Sequence, residues 1–171
     1  MIPTTPGFYQ SDKIVSLDEL AVKLDEHRKQ GRSIGMATGS FDLLHPGHIA
    51  HLKSAKKTCD VFFVCVAPDV YNMQKTQKRG RPIFSEQARA FSVSQLEYVD
   101  YVIFAAGSDY KVIAELRPDV YIKGSDYLGK TNPDLEKSKA ELHKYGGRLH
   151  LTNDEKLSTT DIIRYIKEDV D

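Results

Sequence analysis

The chain of 171 residues carries 24 lysine and arginine residues against 24 aspartate and glutamate residues, so its formal net charge is zero. This length corresponds to one domain with a sizeable core, and the balanced charge argues against a general nucleic-acid or membrane-surface binder. The two cysteines cannot form a disulfide framework, and the sequence has neither an apolar run of membrane-spanning length nor a secretory signal pattern, so we expect a cytoplasmic protein.

Residues 1–12 contain two prolines and a glycine and are expected to form a flexible tail, which leaves 13–171 as the folded domain. The sequence Ser16-Leu17-Asp18-Glu19 is typical of a capping box and predicts a helix that ends at Gly31. Apolar side chains at 17, 20, 21 and 24 form one stripe, which indicates a helix that packs on a core.

From Ser33 onward, short apolar runs alternate with stretches of helical pattern. Strands are predicted at 34–38, 61–67, 101–104, 120–122 and 149–151, and helices near 47–58, 85–98, 109–116, 134–145 and 159–168. Apolar strands separated by helices indicate a parallel sheet covered on both faces. We therefore predict a single α/β domain with a Rossmann-like, doubly wound, five-stranded parallel sheet, whose ligands bind beyond the carboxyl ends of the strands.

The segment after the first strand reads Gly39-Ser40-Phe41-Asp42-Leu43-Leu44-His45-Pro46-Gly47-His48. It matches neither the dinucleotide-binding glycine pattern nor the phosphate loop of P-loop enzymes. Pro46 and Gly47 open a helix whose free backbone N–H groups favour phosphate. His45 and His48 at that helix start can donate hydrogen bonds to a phosphate that gains charge. A zinc site would need a further ligand, which the neighbouring sequence does not supply.

This pattern, Gly-x-Phe-Asp-x-x-His-x-Gly-His, resembles the signature of the cytidylyltransferase-like nucleotidyltransferases. Those enzymes transfer a nucleoside monophosphate from an NTP to a phosphorylated acceptor and release pyrophosphate. The resemblance implies that His45 and His48 hold the α-phosphate and its transition state and that Lys53 approaches phosphate, which assigns all three to catalysis. It also implies a set of nucleotide-binding residues, namely Thr38, Gly39, Ser40, Phe41, Asp42 and Gly47.

Two further blocks resemble the adenylyltransferase domain of bifunctional heptose kinase/adenylyltransferases, and this likeness extends from about Lys13 to the end of the chain. The block 118–127 places Lys123, a cation for phosphate, at a strand end, and Asp126 in it can accept hydrogen bonds from hydroxyls. In the second block, Ser158, Thr159 and Thr160 open the last helix. Their hydroxyls and free amides are suited to hold the β- and γ-phosphates, although such residues are also typical of a plain helix cap.

The remaining candidate residues concern the acceptor and a basic loop. By the same resemblance the acceptor-binding residues are Arg81, Lys123, Gly124 and Asp126, and Lys123 also acts in catalysis. Arg81-Pro82, followed by Glu86 and Arg89, matches the spacing of the same domain. Lys75, Lys78 and Arg79 precede Arg81 in a segment without hydrophobic period, which is either a loop that closes over a triphosphate or a solvated basic turn.

These motifs predict the transfer of AMP from ATP to a phosphorylated sugar, similar to heptose 1-phosphate, by in-line attack on the α-phosphorus. The nucleophile is a phosphate oxygen that is already anionic at neutral pH, so no general base is required. Mg²⁺ is expected to bridge phosphate oxygens without direct side-chain ligands. The expected partners are these small molecules, with no nucleic acid and no membrane, and the resemblance implies a homodimer.

The identity of the acceptor stays open because the chain departs from the heptose-related pattern. Gly107-Ser108-Asp109 stands where that domain usually has acidic-Thr-Pro. The alternatives are a CTP-dependent cytidylyltransferase acting on glycerol 3-phosphate or another polyol or alcohol phosphate, and an FMN adenylyltransferase. From a different class comes a nucleotide-binding regulatory module without catalysis. A class I aminoacyl-tRNA synthetase is not expected, since these 171 residues are neutral overall and contain no segment that is predicted to bind tRNA.

Overall fold

Five parallel strands form one sheet in the part of the chain that the structure describes. The computed structural model describes residues 1–2, 4–5, 7–71, 81–105, 107–130, 132–155 and 157–170. The strands are β1 (Ile34–Gly39), β2 (Val61–Val66), β3 (Tyr101–Phe104), β4 (Val120–Lys123) and β5 (Arg148–Leu151), in the spatial order β3-β2-β1-β4-β5. This arrangement confirms the predicted fold class. The predicted basic residues Lys75, Lys78 and Arg79 lie outside the described residues, as do Pro3 and Pro6.

Helices connect the strands at nearly the predicted positions. They are α1 (Leu17–Lys29), α2 (Pro46–Lys56), α3 (Glu86–Ser94), α4 (Asp109–Leu116), α5 (Pro133–His143) and α6 (Thr159–Asp169), with a short 3₁₀ helix at Ser125–Tyr127. Ser16 and Glu19 form the predicted capping box of α1. The third helix ends at Ser94, four residues before the predicted end, because the chain turns there through hydrogen bonds from Leu96 to Val93 and from Val99 to Leu96. None of the described helices is long and apolar enough to cross a bilayer.

Apolar side chains of the sheet alternate between two core layers, one on each face. Met36 of β1 contributes to the layer formed with α1, α4 and α5, whereas Ala37 contributes to the layer formed with α2 and α3. Leu24 and Ile113 are fully buried in the first layer, and Leu52 is fully buried in the second. β2 is buried along its whole length because both faces of the sheet are covered there.

The first twelve residues make several contacts with the segment that begins α3. The backbone N–H of Ile2 donates to the carbonyl of Ile83, and the side-chain amide of Gln87 donates to the carbonyl of Tyr9. The Tyr9 ring also packs against Phe91, with ring centroids 5.4 Å apart. The division of the chain into a tail and a domain stays a prediction.

A buried guanidinium holds together the loops at the carboxyl ends of β1 and β2. Arg89 of α3 is 1% exposed and donates to the carbonyls of Ser40 and Ala67 at 2.5 and 2.8 Å. It also donates to the carbonyl of Phe84 at 3.1 Å and to the carboxylate of Asp69 at 2.7 Å. A buried charge is tolerated only when it is paired and hydrogen-bonded, so the position of these loops depends on Arg89.

Replacement of this guanidinium should therefore destabilise the fold. We expect Arg89→Met to lower the free energy of unfolding by about 3 kcal/mol, since it leaves buried carbonyl groups and a carboxylate without their donor. Urea denaturation followed by circular dichroism measures this loss. Arg164→Met, which removes an exposed ion pair with Asp161, is the matched control and should change stability by less than about 0.5 kcal/mol. Equal losses of stability in the two variants would contradict the role of Arg89 in holding the loops after β1 and β2.

Candidate functional site

Two cavities open near the carboxyl ends of β1 and β4, the neighbouring strands at which the strand order reverses. A parallel sheet binds its ligands at such a reversal. The first cavity has a volume of ≈ 330 Å³ and is lined by residues from the N-termini of α2 and α6 and from the segments after β4 and β5. The second cavity has a volume of ≈ 390 Å³ and is lined by the end of β1, by Lys123 of β4 and by the N-termini of α4 and α5.

Two helix N-termini meet at the first cavity. Gly47 and His48 of α2 line it together with Ser158, Thr159 and Thr160 at the start of α6. A Cβ atom on Gly47 would lie 2.9 Å from the Cβ of Leu157 and 3.2 Å from the His45 ring, so glycine permits this close approach of the two helix starts. Because the first N–H groups of a helix have no partner within it, the two termini together favour an anion.

The rings of His45 and His48 are stacked at the start of α2. Their centroids are 3.7 Å apart and their planes differ by 20°. His45 is 4% exposed and caps α2, with its Nδ1 accepting a hydrogen bond from the backbone N–H of His48 at 3.4 Å. This hydrogen bond assigns the proton of the neutral His45 ring to Nε2. Within the described part of the chain, Nε2 of His45 and Nδ1 of His48 are buried without a hydrogen-bond partner.

Both stacked rings are neutral at physiological pH. Burial lowers the pKa of His45, and burial together with the adjacent His45 and His51 lowers the pKa of His48 to about 3. An anion at this site would therefore be attracted by ring N–H groups and by the dipole of α2, and not by imidazolium charge. A neutral donor that stands ready in a desolvated site is suited to stabilise charge that develops during a reaction.

The loop between β1 and α2 is held by buried polar contacts. The carboxylate of Asp42, which is 2% exposed, accepts hydrogen bonds from the backbone N–H groups of Ile83 and Phe84, and Nε of Arg81 lies 3.0 Å from it. The carbonyl of Asp42 accepts a hydrogen bond from the Thr159 hydroxyl at 2.7 Å. These contacts join three segments at the edge of the first cavity.

The hydroxyl groups at the start of α6 are largely used within the protein. Ser158 caps the helix by accepting from the backbone N–H of Asp161, and the hydroxyl of the buried Thr159 donates to Asp42. Thr160 is exposed and lines the first cavity. A phosphate at this helix start would therefore meet backbone N–H groups and Thr160 before the other two hydroxyls.

Carboxylates and a third histidine also line the first cavity. His51 shares a hydrogen bond of 2.8 Å with the hydroxyl of Thr152, and burial lowers the pKa of His51 despite the neighbouring Asp154. Oδ1 of Asp154 accepts from Ser54 at 2.8 Å, whereas its Oδ2 is buried and has no partner among the described residues. Together with Asp126, these groups provide acceptors for hydroxyl or amino groups of a ligand.

A charged network forms the end of the second cavity that lies against β1 and β4. The ammonium of Lys123 donates to the hydroxyl of Thr38 at 2.6 Å and to Oδ2 of Asp109 at 2.9 Å. The hydroxyls of Thr38 and Tyr121 donate to the same carboxylate oxygen. Burial alone would lower the pKa of Lys123, but Tyr121 and Asp109 raise it above its ordinary value. Burial alone would raise the pKa of Asp109, but Lys123 and these hydroxyls hold it below its usual range.

Most of the predicted site residues line one of the two cavities. The first cavity is lined by Gly47, His48, Arg81, Gly124, Asp126, Ser158, Thr159 and Thr160, and the second by Thr38, Gly39, Ser40 and Lys123. The predicted nucleotide and acceptor sets are thus not grouped as in the sequence interpretation. Phe41, Asp42, His45 and Lys53 line neither cavity. The first three are buried, with the Phe41 ring in a T-shaped arrangement with His48, whereas Lys53 is exposed on α2, and their predicted roles stay predictions.

Sequence reasoning missed several residues that line the cavities, above all His51, Asp154, Asp109 and Tyr121. His51 follows His48 by three residues, and that spacing places both on one face of α2. Asp109 follows β3 at the start of a helix, so the rule that ligands bind beyond strand ends could have identified it. No sequence signal pairs Asp109 with Lys123. Among the described residues, no cluster of three or more His, Cys, Asp or Glu side chains is arranged to hold a metal ion.

Comparison with known proteins identifies relatives of this chain. The family model described as cytidylyltransferase-like matches residues 36–165. The bifunctional protein HldE of Geobacter metallireducens is 36% identical over 162 residues, which cover 92% of this chain and 32% of that protein. The bifunctional protein HldE of Paramagnetospirillum magneticum is 41% identical over 116 residues, which cover 67% of this chain and 24% of that protein. The chain thus spans about a third or less of the length of these relatives.

Solved structures with the same fold extend this comparison. A lipopolysaccharide core biosynthesis protein from Thermoplasma volcanium has a TM-score of 0.59 and 33% identity, and the match covers 75% of this chain and 100% of that chain. A pantoate-β-alanine ligase from Francisella tularensis has a TM-score of 0.56 at 15% identity, covering 92% of this chain and 77% of that chain. At 15% identity, the match to the ligase shows a similar fold and gives no information about function.

The neutral state of His48 predicts how stability depends on pH. Because burial holds its pKa at about 3 in the folded protein, the unfolded chain takes up a proton first as the pH falls below about 6.5. The contribution of neutral His48 to stability is therefore complete above pH 6.5 and is lost as the pH falls toward 3. We expect the melting temperature of His48→Gln to fall less than that of the wild type between about pH 7 and about pH 4.

Thermal denaturation at a series of pH values measures this difference. The control is His143→Gln, which replaces an exposed histidine on α5 and should follow the wild-type curve. Parallel pH dependence of His48→Gln and the wild type would contradict the buried, neutral state of His48.

Proposed function

Because the chain belongs to the cytidylyltransferase-like family of nucleotidyltransferases, we propose that it transfers AMP from ATP to a phosphorylated sugar, similar to a heptose 1-phosphate, and releases pyrophosphate. The observation that carries this proposal is the stacked pair of neutral histidines, whose buried ring nitrogens lack partners among the described residues. The relatives named HldE and the lipopolysaccharide core biosynthesis protein support a sugar-related acceptor.

The first cavity is proposed to hold the nucleotide. The N-termini of α2 and α6 both line it, so this end suits the triphosphate, and the guanidinium of Arg81, which is paired with Asp42, lies beside them. Asp126 and the unpartnered Oδ2 of Asp154 can accept hydrogen bonds from ribose hydroxyls or from a base amino group. We expect ATP to enter as its Mg²⁺ complex, in which the ion is held by phosphate oxygens and neutralises part of their charge.

The second cavity is proposed to hold the acceptor. This proposal replaces the expectation from the sequence, which assigned Thr38, Gly39 and Ser40 to the nucleotide and Arg81, Gly124 and Asp126 to the acceptor. Thr38, Gly39 and Ser40 at the end of β1 line it and lead directly into the loop that carries His45 and His48. An acceptor in this cavity can therefore direct its phosphate toward the nucleotide from the other side of the β1 end. Direct transfer requires the acceptor phosphate and the α-phosphate to meet between the two cavities, beside the end of β1.

The residues of the chain supply alignment and charge stabilisation rather than a nucleophile. A phosphate monoester has a second pKa near ~6, so the attacking oxygen of the acceptor is anionic at neutral pH. We propose that the N–H of Nε2 on His45 and a ring nitrogen of His48, which have no partner among the described residues, donate to the α-phosphate as negative charge develops in the transition state. Pyrophosphate leaves from the start of α6, where backbone N–H groups and Thr160 offset its charge.

A pyrophosphate-release assay with purified protein tests this function. Four NTPs are crossed with sugar 1-phosphates, glycerol 3-phosphate and FMN in the presence of Mg²⁺. We expect the largest kcat/KM for ATP with a sugar 1-phosphate. Release only with CTP and glycerol 3-phosphate would contradict the proposal in favour of a cytidylyltransferase. Nucleotide binding without turnover of any acceptor would identify a regulatory module instead.

The two histidines are expected to act on turnover. With the best pair of substrates, His45→Ala and His48→Ala should each lower kcat by about 10²- to 10³-fold, because each removes a donor to the transition state. The fold should be retained, as judged by circular dichroism. His143→Ala, on the exposed end of α5, should keep wild-type kcat. Near-normal kcat in both variants would overturn the mechanism.

A further inference from the structure

The carboxylate of Asp109 is the least expected group in the second cavity. It stands at the first position of α4, and its side chain is 30% exposed although its Oδ2 accepts hydrogen bonds from Lys123, Thr38 and Tyr121. All of these contacts involve Oδ2 and none of them involves Oδ1. The network thus holds the carboxylate in a defined orientation while Oδ1 can serve as an acceptor for a ligand.

The same network removes the positive charge that Lys123 would otherwise present. The Lys123 side chain is 8% exposed, and its ammonium lies 2.9 Å from Oδ2 of Asp109. Among the described residues that line the second cavity, the charged side chains are Lys123, Asp109 and Asp134. Asp134 is exposed to solvent, which screens its charge, and Asp109 offsets the charge of Lys123. An anionic group beside Oδ1 of Asp109 would therefore be repelled by the carboxylate, because the Lys123 ammonium is engaged at Oδ2.

Hydroxyl groups are the complementary partner for this surface. A carboxylate accepts hydrogen bonds only, and a hydroxyl donates one without bringing a negative charge into a partly desolvated space. The Tyr127 ring, 4.9 Å from the Lys123 ammonium, also lines the second cavity and offers an apolar surface beside the carboxylate. A polyhydroxylated, uncharged group fits this combination of acceptor and apolar face.

We propose that Asp109 determines acceptor specificity: its carboxylate accepts a hydrogen bond from a hydroxyl of the acceptor body and excludes acceptors that carry a second anionic group there. This inference rests on the proposed function, because it takes the second cavity as the acceptor site. In this arrangement the carboxylate is positioned by Lys123, Thr38 and Tyr121. The α-phosphate of the nucleotide is bound instead by the two histidines and the start of α2.

The test compares acceptors that differ in one phosphate. Glucose 1-phosphate and glucose 1,6-bisphosphate are assayed with ATP by pyrophosphate release, and the ratio of their kcat/KM values is determined. In Asp109→Asn we expect the wild-type preference for the monophosphate to fall by about 10-fold or more, since the variant loses both the charged acceptor and the repulsion. The KM for the bisphosphate should decrease and the KM for the monophosphate should increase.

Asp134→Asn is the matched control, because it removes the same charge from an exposed residue of the same cavity. It should leave the preference within about 2-fold of the wild type, as expected for a solvent-screened charge. An unchanged preference in Asp109→Asn, or an equal change in both variants, would overturn the proposal. If Asp109→Asn does not fold, Asp109→Ser, which is compatible with a helix N-terminus, replaces it.

Calorimetric binding of the same two probes separates this proposal from the proposed function. If the wild type releases no pyrophosphate with any NTP, the proposed function has failed. The ratio of the Kd for glucose 1,6-bisphosphate to the Kd for glucose 1-phosphate then decides the role of Asp109. A ratio that falls by about 10-fold in Asp109→Asn and not in Asp134→Asn supports the specificity role. An unchanged ratio, or no binding of either probe to the wild type, overturns it.

Discussion

The buried polar contacts of the loop between β1 and α2 are the constraint on which the site depends. Arg89 holds the carbonyl of Ser40 from α3, and Thr159 holds the carbonyl of Asp42 from α6. The carboxylate of Asp42 in turn receives backbone N–H groups from the segment before α3. Because buried polar groups are costly to leave unpaired, these contacts define one conformation of the loop. That conformation places His45 as the cap of α2 and brings the start of α6 beside it.

The neutral chain concentrates favourable potential for an anion without a cluster of basic side chains. Two helix N-termini and His48 line the first cavity, whereas its described charged lining residues are Arg81, which is paired with Asp42, and the carboxylates of Asp126, Asp154 and Glu155. The favourable potential for an anion there therefore comes from the helix N-termini and not from side-chain charge. In the second cavity, Asp109 offsets the charge of Lys123 and keeps its Oδ1 outside that ion pair. The two cavities therefore differ in electrostatic character, with dipoles arranged for phosphates in one and a carboxylate arranged for hydroxyls in the other.

Much of the fold follows from local sequence patterns, whereas the contacts of the site do not. Apolar runs and helix caps predicted the strands and helix starts because these features depend on neighbours in sequence. The motif also indicated where His45 and His48 lie. It could not reveal that the Thr159 hydroxyl is used by Asp42, or that Lys123 meets Asp109, since these contacts join residues brought together by the sheet. The neutral state of His48 likewise depends on burial, which the sequence does not specify residue by residue.

The fate of the α-phosphate of the nucleotide tests the central claim most directly. ATP labelled with ³²P at the α-position is incubated with Mg²⁺, a sugar 1-phosphate and the protein, and the products are separated. The account predicts that the label enters the sugar product while unlabelled pyrophosphate is released in equal amount. Label recovered in ADP or in free AMP, with no labelled sugar product, would contradict direct adenylyl transfer.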